Sequence, residues 1–227
     1  MEEHTLNEYE RIRREKMQAL KDKGIDPFGS AFKTTHHSLE ILTKYEHNTK
    51  EEIAEINEHV IIAGRIMTKR EMGKAGFMHL LDRDGQIQVY VRKDSLTELE
   101  FEVFTEADLG DIIGIEGHVF RTNHGEISVK AEKLTHLTKA LRPLPDKFHG
   151  LADVEERYRR RYVDLIVNEN VRRVAMLRPR IIRALQHYFD GLGMIEVETP
   201  VLQPILGGAA ARPFVTHHNT LDMDFYL

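Results

Sequence analysis

The chain has 227 residues, 41% of them hydrophobic and 30% charged, which is the composition of a globular protein with room for one large domain or two smaller ones. It has no cysteine, so disulfide bonds, thiolate zinc sites and cysteine nucleophiles are excluded. A formal net charge of −5 excludes a strongly basic binder of bulk nucleic acid, so any contact with nucleic acid must be local. We expect no membrane-spanning helix, because such a helix needs about 20 consecutive apolar residues and no apolar run approaches that length. We also expect no secretory signal, because the first residues are charged.

Residues 1–58 are predicted to form a helical region. A capping box at residues 5–8 precedes apolar residues at helical spacing, and Gly24 and Pro27 end that segment. A second capping box at residues 49–52 predicts a shorter helix. Neither helix carries residues that point to a particular chemistry.

From His59 onward the hydrophobic pattern changes to the period of two that is typical of β-strands. Strands are predicted at residues 60–68, 75–81, 86–92, 111–121 and 126–134, with a helix over residues 94–108. Five strands are compatible with several small barrels, but a helix between the third and fourth favours the OB-fold, a Greek-key barrel. We therefore assign residues 59–137 to an OB-fold domain.

Alternation within these strands separates an inner from an outer face. The apolar residues of the second, third and fifth strands point inward: Met78, Leu80, Ile87, Val89, Val91, Ile127, Val129 and Ala131. The outer face then holds Phe77 together with Gln86, Gln88, Tyr90, Glu126, Ser128 and Lys130, and the cations Lys69, Arg70 and Lys74 lead into it.

Such an outer face suits single-stranded nucleic acid, because a ring stacks on an unpaired base, polar groups pair with its edge and cations hold phosphates. The pattern also allows an ordinary surface on which Phe77 is covered by another element. It does not say which nucleic acid would be bound.

Residues 138–152 contain Pro143 and Pro145 and are predicted to form a semi-rigid connector between domains. Beyond the connector, helices are predicted over residues 153–165 and 171–189, followed by a short strand over residues 194–198 that Pro200 ends. The adjacent residues His217 and His218 would face opposite ways on an extended segment, so no metal site is predicted there.

Four segments carry a family resemblance: MTKREMGKA at residues 67–75, KALRPLPDKFHGL at 139–151, EVETPVL at 196–202 and GGAAARPFVTHHN at 207–219. They resemble the bacterial lysyl-tRNA synthetases, which are class II aminoacyl-tRNA synthetases. EVETP by itself is typical of class II in general, whereas the connector and the glycine-containing segment resemble the lysine enzymes specifically. The similarity extends from Asn7 to Leu227.

The resemblance implies an α+β fold, with an N-terminal helix, a five-stranded OB-fold barrel that binds the tRNA anticodon loop, and the incomplete start of an antiparallel α/β class II catalytic domain over residues 153–227. By position, Phe77 would stack on the central uridine of the anticodon, and Arg70, Gln88 and Glu126 would read its edges. Lysine, aspartate and asparagine anticodons share that uridine, so these four residues do not separate the three enzymes.

In the second domain, the resemblance assigns residues 178–200, including Pro200, to class II motif 1, which builds the homodimer interface. Pro179 departs from the small polar residue that is common in the family, so the helix is expected to begin or bend there. Gly207 and Gly208 would contact the α-amino group of the amino-acid substrate through their backbone, and Gly208 is the preferred candidate.

The enzyme implied by the resemblance is a cytoplasmic homodimer that activates lysine with ATP and Mg²⁺ and transfers it to lysine tRNA. Class II motifs 2 and 3 do not occur in these 227 residues. No catalytic residue is therefore named, and the chain alone is expected to be inactive. Two alternatives remain: part of an aspartyl- or asparaginyl-tRNA synthetase, and a non-catalytic OB-fold protein that binds single-stranded nucleic acid.

Overall fold

The computed structural model describes residues 7–29, 31–145, 151, 153–207 and 212–227. The chain divides into two compact units, Met1–Gly150 and Leu151–Leu227. The first unit contains α1 (Glu8–Asp22), α2 (Ser38–Tyr45), α3 (Lys50–Ile56), β1 (His59–Met72), β2 (Ala75–Leu81), β3 (Gln86–Arg92), a 3-10 turn (Lys93–Ser95), α4 (Glu98–Glu106), β4 (Ile112–Arg121) and β5 (Ile127–Thr138). The second contains α5 (Val154–Arg159), α6 (Arg161–Val167), α7 (Glu169–Gly191), β6 (Val215–His218) and β7 (Met223–Tyr226). The predicted α+β fold is confirmed.

The strands β1 to β5 form a closed barrel in the order β1-β2-β3-β5-β4. β3 and β5 run parallel, and the other neighbours are antiparallel. β1 closes the barrel because residues 59–65 pair with β4 and residues 65–72 pair with β2. A bulge between Ile66 and Thr68 bends the strand from one partner to the other. This is the OB-fold predicted from the order of the strands.

The barrel interior is filled by the residues that the alternation predicted to point inward. All eight are buried: Met78, Leu80, Ile87, Val89, Val91, Ile127, Val129 and Ala131. Helix α4 packs on this core through Phe104, whose ring lies so close to Gly76 that a Cβ there would be 2.6 Å from it. Burial of a large apolar side chain contributes about 1.5–3 kcal/mol to the free energy of folding. The apolar side chains on the inward face of each strand are therefore held in the barrel interior.

The helices before the barrel agree with the prediction in part. α1 begins at Glu8, and its N-cap is Asn7, which forms a capping box with Glu10. The box predicted at residues 5–8 therefore does not cap the helix, and Thr5 lies outside the described residues. The box at residues 49–52 caps α3 as predicted. α2 was not predicted, although its residues Ile41 and Tyr45 are buried.

Helix α1 is attached to the barrel by buried polar contacts. The Arg13 guanidinium donates to the carbonyl oxygens of Leu109 and Ala140, at 3.0 and 2.8 Å. The Lys16 ammonium donates to a carboxylate oxygen of Asp108 at 3.0 Å. The first residues of the predicted connector are thus held within this unit, since Thr138 ends β5 and the Lys139 side chain is only 1% exposed.

In the second unit the predicted first helix is split at Arg160 into α5 and α6. Asp164 on α6 is 0% exposed and accepts hydrogen bonds from Arg157, Arg161 and Asn168, which ties the two helices together. α7 begins at Glu169 and runs through Pro179, so the helix does not begin at the proline.

The strand predicted at residues 194–198 is wrong. These residues carry no strand, whereas β6 and β7 pair with each other as an antiparallel hairpin that was not predicted. A short apolar segment becomes a strand only where a partner offers backbone hydrogen bonds, and alternation cannot show that. No helix within the described residues is both long and apolar enough to cross a bilayer.

Candidate nucleic-acid-binding face of the barrel

Three aromatic rings lie in a row across the outer face of the barrel. The ring of Phe77 on β2 lies 4.8 Å from that of Tyr90 on β3, and the Tyr90 ring lies 6.0 Å from that of Phe120 on β4. All three side chains are half-buried. The pairing places the three rings near one another, because Tyr90 lies opposite Phe77, and Phe120 lies opposite Ser128, which pairs with Gln88 two positions before Tyr90. We call these three residues the aromatic strip.

A chain of hydrogen bonds runs beside the aromatic strip. The Gln88 amide Nε2 donates to Glu126 Oε2 at 2.7 Å, and the Ser128 hydroxyl donates to Gln88 Oε1 at 2.9 Å. The other oxygen of Glu126 is 3.2 Å from His79 Nε2, and His79 Nδ1 is 2.7 Å from the Thr68 hydroxyl. We call these five residues, Thr68, His79, Gln88, Glu126 and Ser128, the polar chain. They come from four different strands or their ends, so only the closed barrel brings them together.

The cations predicted beside this face have different surroundings. Arg70 is exposed and lies opposite Phe77 in the pairing of β1 with β2. Lys69 instead donates to the carbonyl oxygens of Phe104, Thr105 and Ala107 at the C-terminal end of α4. The expectation that Lys69 leads into the face is wrong, because successive side chains of a strand point to opposite sides and the helix end offers unpaired carbonyl groups.

The four predicted base-contacting residues are on one face: Arg70, Phe77, Gln88 and Glu126. Ser128 was expected to point outward. It lies on this face but is 0% exposed, because it sits between Gln88 and Phe120 on the neighbouring strands.

Sequence reasoning missed two contributors to this face. Alternation placed His79 on the side of Phe77, but no pattern showed that its ring would meet Glu126, which is 47 positions away in the chain. Phe120 belongs to a predicted strand whose faces the alternation did not separate. Its part in the aromatic strip follows only from the pairing of β4 with β5.

Chemically, this face suits an unpaired base. Half-buried rings offer a stacking surface, which is worth about 1–3 kcal/mol per base. The polar chain offers amide and carboxylate groups to a base edge, and the exposed Arg70 offers a cation to a phosphate.

Comparison with known proteins gives a match for each part of the chain. Residues 60–137 match the family model of an OB-fold nucleic acid binding domain, and residues 153–227 match that of class II tRNA synthetases (D, K and N). The chain is 58% and 57% identical to the lysine–tRNA ligases of Enterococcus faecalis and Streptococcus suis over 98% of its length, and 56% identical to that of Bacillus subtilis over 100%. The chain is therefore similar to lysine–tRNA ligases over nearly its whole length. It spans 45–46% of the length of these relatives.

The second unit carries the other residues singled out from the sequence. Pro200 is exposed in the segment after α7. Gly207 is also exposed and lines a shallow depression with Val201 and Tyr226, whereas Gly208 lies outside the described residues.

Of the adjacent histidines His217 and His218, the first lies beside two carboxylates. His217 lies 3.0 Å from a carboxylate oxygen of Asp224 and 3.4 Å from one of Asp222. Across the described part of the chain, no three histidine, aspartate or glutamate side chains gather closely enough to hold a metal ion.

Proposed function

We propose that the barrel binds the anticodon loop of lysine tRNA, and that the chain is part of a lysine–tRNA ligase. The observation that supports this most directly is the aromatic strip beside the polar chain, on the outer face of a barrel that matches a nucleic-acid-binding family. The relatives named above are lysine–tRNA ligases, which supports lysine over aspartate and asparagine.

In this proposal each residue of the face has a distinct part. Phe77 stacks on the central uridine of the anticodon, Gln88 and Glu126 determine which base edge fits beside the ring, and Arg70 contacts the base edge or its phosphate. Stacking is insensitive to sequence, because every base has a π-face, so selectivity depends on the polar chain.

The activity of the whole enzyme extends the same proposal. Lysine and ATP give an enzyme-bound lysyl-adenylate and pyrophosphate, and the lysyl group then passes to a terminal ribose hydroxyl of the tRNA with release of AMP; Mg²⁺ would neutralise the phosphates. Gly207 and Gly208 would approach the α-amino group of lysine through their backbone. Within the described residues, no group of carboxylate and histidine side chains is arranged to hold a magnesium ion.

We propose that the whole protein is a cytoplasmic homodimer, with the motif 1 segment and Pro200 at its interface. Apolar residues of α7 support this, because Leu177, Ile181 and Leu185 are 45–54% exposed. We also propose that these 227 residues alone do not activate lysine. ATP–pyrophosphate exchange catalysed by the purified chain would contradict that statement.

The binding proposal is tested with two anticodon stem-loops, one with the lysine anticodon and one with its central U changed to C. We expect the chain to bind the U loop more tightly by about 1–3 kcal/mol, the range for one well-read base. Phe77→Ala should weaken binding by about 1–3 kcal/mol.

The control is Tyr9→Ala, which removes a ring that is 70% exposed on α1 and should leave binding unchanged. Equal, weak and steeply salt-dependent binding of both loops would mean that only phosphates are contacted, and the proposed site would be wrong.

A further inference from the structure

The amide of Gln88 is held with a defined polarity. A carboxylate can only accept hydrogen bonds, so the short contact with Glu126 Oε2 requires Gln88 to turn its Nε2 toward it. The Ser128 hydroxyl on the other side can donate or accept, so it would tolerate either orientation of the amide. Glu126 is therefore the group that decides which way the amide of Gln88 points.

Glu126 is itself held in place. Its second oxygen contacts His79 Nε2, and the Thr68 hydroxyl contacts the other nitrogen of that ring. The Glu126 side chain is 49% exposed, so its position depends on these hydrogen bonds and not on burial. With both oxygens occupied, the carboxylate has a single arrangement relative to Gln88.

The amide of Gln88 keeps unused capacity for a ligand. One N–H of Nε2 is taken by Glu126 and one lone pair of Oε1 by Ser128, which leaves one N–H and one lone pair of the amide for a ligand. Their complement is a base edge with an N–H beside a carbonyl oxygen, as in uracil. Cytosine presents the reverse, an unprotonated ring nitrogen beside an amino group.

We propose that Glu126 is a positioning residue that selects a keto base over an amino base by fixing the polarity of the Gln88 amide. The inference rests on the proposed function, because a base stacked on Phe77 lies beside Gln88, its diagonal neighbour across β2 and β3. Without this restraint the amide rotates by half a turn about its terminal bond and pairs with cytosine as well as with uracil.

The test is Glu126→Gln in the whole chain, with the U and C stem-loops as probes. A glutamine at 126 can donate or accept, so Gln88 is free to turn. The unsubstituted chain should prefer the U loop by about tenfold or more, and the variant by less than about threefold, mainly through tighter binding of the C loop.

A matched control removes the same charge elsewhere on β5. Glu132→Gln replaces an exposed glutamate that pairs with His118 at 3.1 Å. Loss of a carboxylate should strengthen binding of both loops alike, so this variant should keep the full preference for U. Circular dichroism of both variants confirms that the barrel is folded.

A second comparison asks whether Glu126 acts through Gln88. With Gln88→Leu present, Glu126→Gln should cause no further change in the ratio of affinities, whereas direct contact of Glu126 with the base would make the two effects additive. Additive effects, or a Glu126→Gln variant that keeps the full preference for U, would overturn the positioning role while the anticodon proposal stands. An unsubstituted chain that binds both loops equally would overturn both.

Discussion

At Lys139 an ammonium group is enclosed between two carboxylates. Its Nζ lies 2.7 Å from Asp111 Oδ2 and also contacts Asp108 Oδ2, and the side chains of Lys139 and Asp111 are each 1% exposed. Burial favours a higher pKa for the Asp108 carboxyl, but hydrogen bonds and charges from Lys139 and Lys16 outweigh it and hold that pKa below the usual value. The Lys139 ammonium therefore offsets the negative charge of both aspartates.

Replacement of this lysine tests that statement. We expect Lys139→Met to lower the free energy of unfolding by about 3–5 kcal/mol, because it leaves the Asp111 carboxylate buried without its ion-pair partner and Asp108 paired with Lys16 alone. Urea denaturation followed by circular dichroism measures the change. Lys23→Met, which breaks a surface pair with Glu102 at 2.7 Å, should change it by less than about 1 kcal/mol. Equal effects of the two substitutions would show that the buried cluster is not important for stability.

At the scale of elements, one carboxylate joins a helix to a hairpin. Asp82 lies in the turn between β2 and β3 and accepts hydrogen bonds from the backbone and hydroxyl of Ser38 at the start of α2, and from the backbone of Asp84 and Gly85. Burial favours a higher pKa for the Asp82 carboxyl, but these hydrogen bonds outweigh it and hold the pKa below the usual value of 3.8.

Because the pKa of Asp82 is lower in the folded state than in the unfolded state, the pH dependence of the free energy of unfolding has a definite sign. The stability that Asp82 contributes is present above the unfolded-state pKa and is lost as the pH falls through the folded one. We expect Asp82→Asn to be less stable by about 1–3 kcal/mol near neutral pH, and to lose less stability than the unsubstituted chain between about pH 7 and pH 3. Urea denaturation across that range measures both values.

The control for this prediction is Asp94→Asn, at an aspartate whose side chain is 66% exposed. It should leave the stability and its pH dependence unchanged within about 0.5 kcal/mol. A pH dependence of Asp82→Asn equal to that of the unsubstituted chain would contradict the role of the carboxylate.

Helices and strands could be predicted from the sequence where the local pattern of apolar and polar residues agrees with the tertiary structure. The period of two in the hydrophobic pattern located all five strands of the barrel, although β1 extends to Met72 because β2 pairs with its second half. The segment at residues 194–198 shows the limit, since it has a strand-like composition and yet carries no strand. The unpredicted α2 has only eight residues, too few for a periodic pattern to stand out.

At the scale of the whole molecule, the hydrophobic core belongs to the first unit. Among the described residues, the buried apolar side chains of this core lie between Leu20 and Leu134. A fragment of residues 7–145 should therefore unfold cooperatively and bind the anticodon stem-loop within about 0.5 kcal/mol of the whole chain. Calorimetry and fluorescence anisotropy measure the two properties. A fragment that folds but binds much more weakly would mean that the second unit contributes to the site.

The sequence by itself determined the class of fold, the inward residues of the barrel and the family resemblance that the comparisons confirmed. These are properties of local spacing, because the period of a strand and the letters of a motif are present in the unfolded chain. Its prediction of the site named Arg70, Phe77, Gln88 and Glu126, and their roles remain predictions.

Only the tertiary structure decided which of these residues touch. The contacts of Glu126 with His79 and Gln88, and the row of rings that ends at Phe120, exist because barrel closure brings strands distant in sequence within hydrogen-bonding range. The same closure directed Lys69 to the end of α4 and buried Lys139 at the start of the connector. Alternation assigns a side chain to a face, but its partners depend on pairing and register, which are set by the whole barrel.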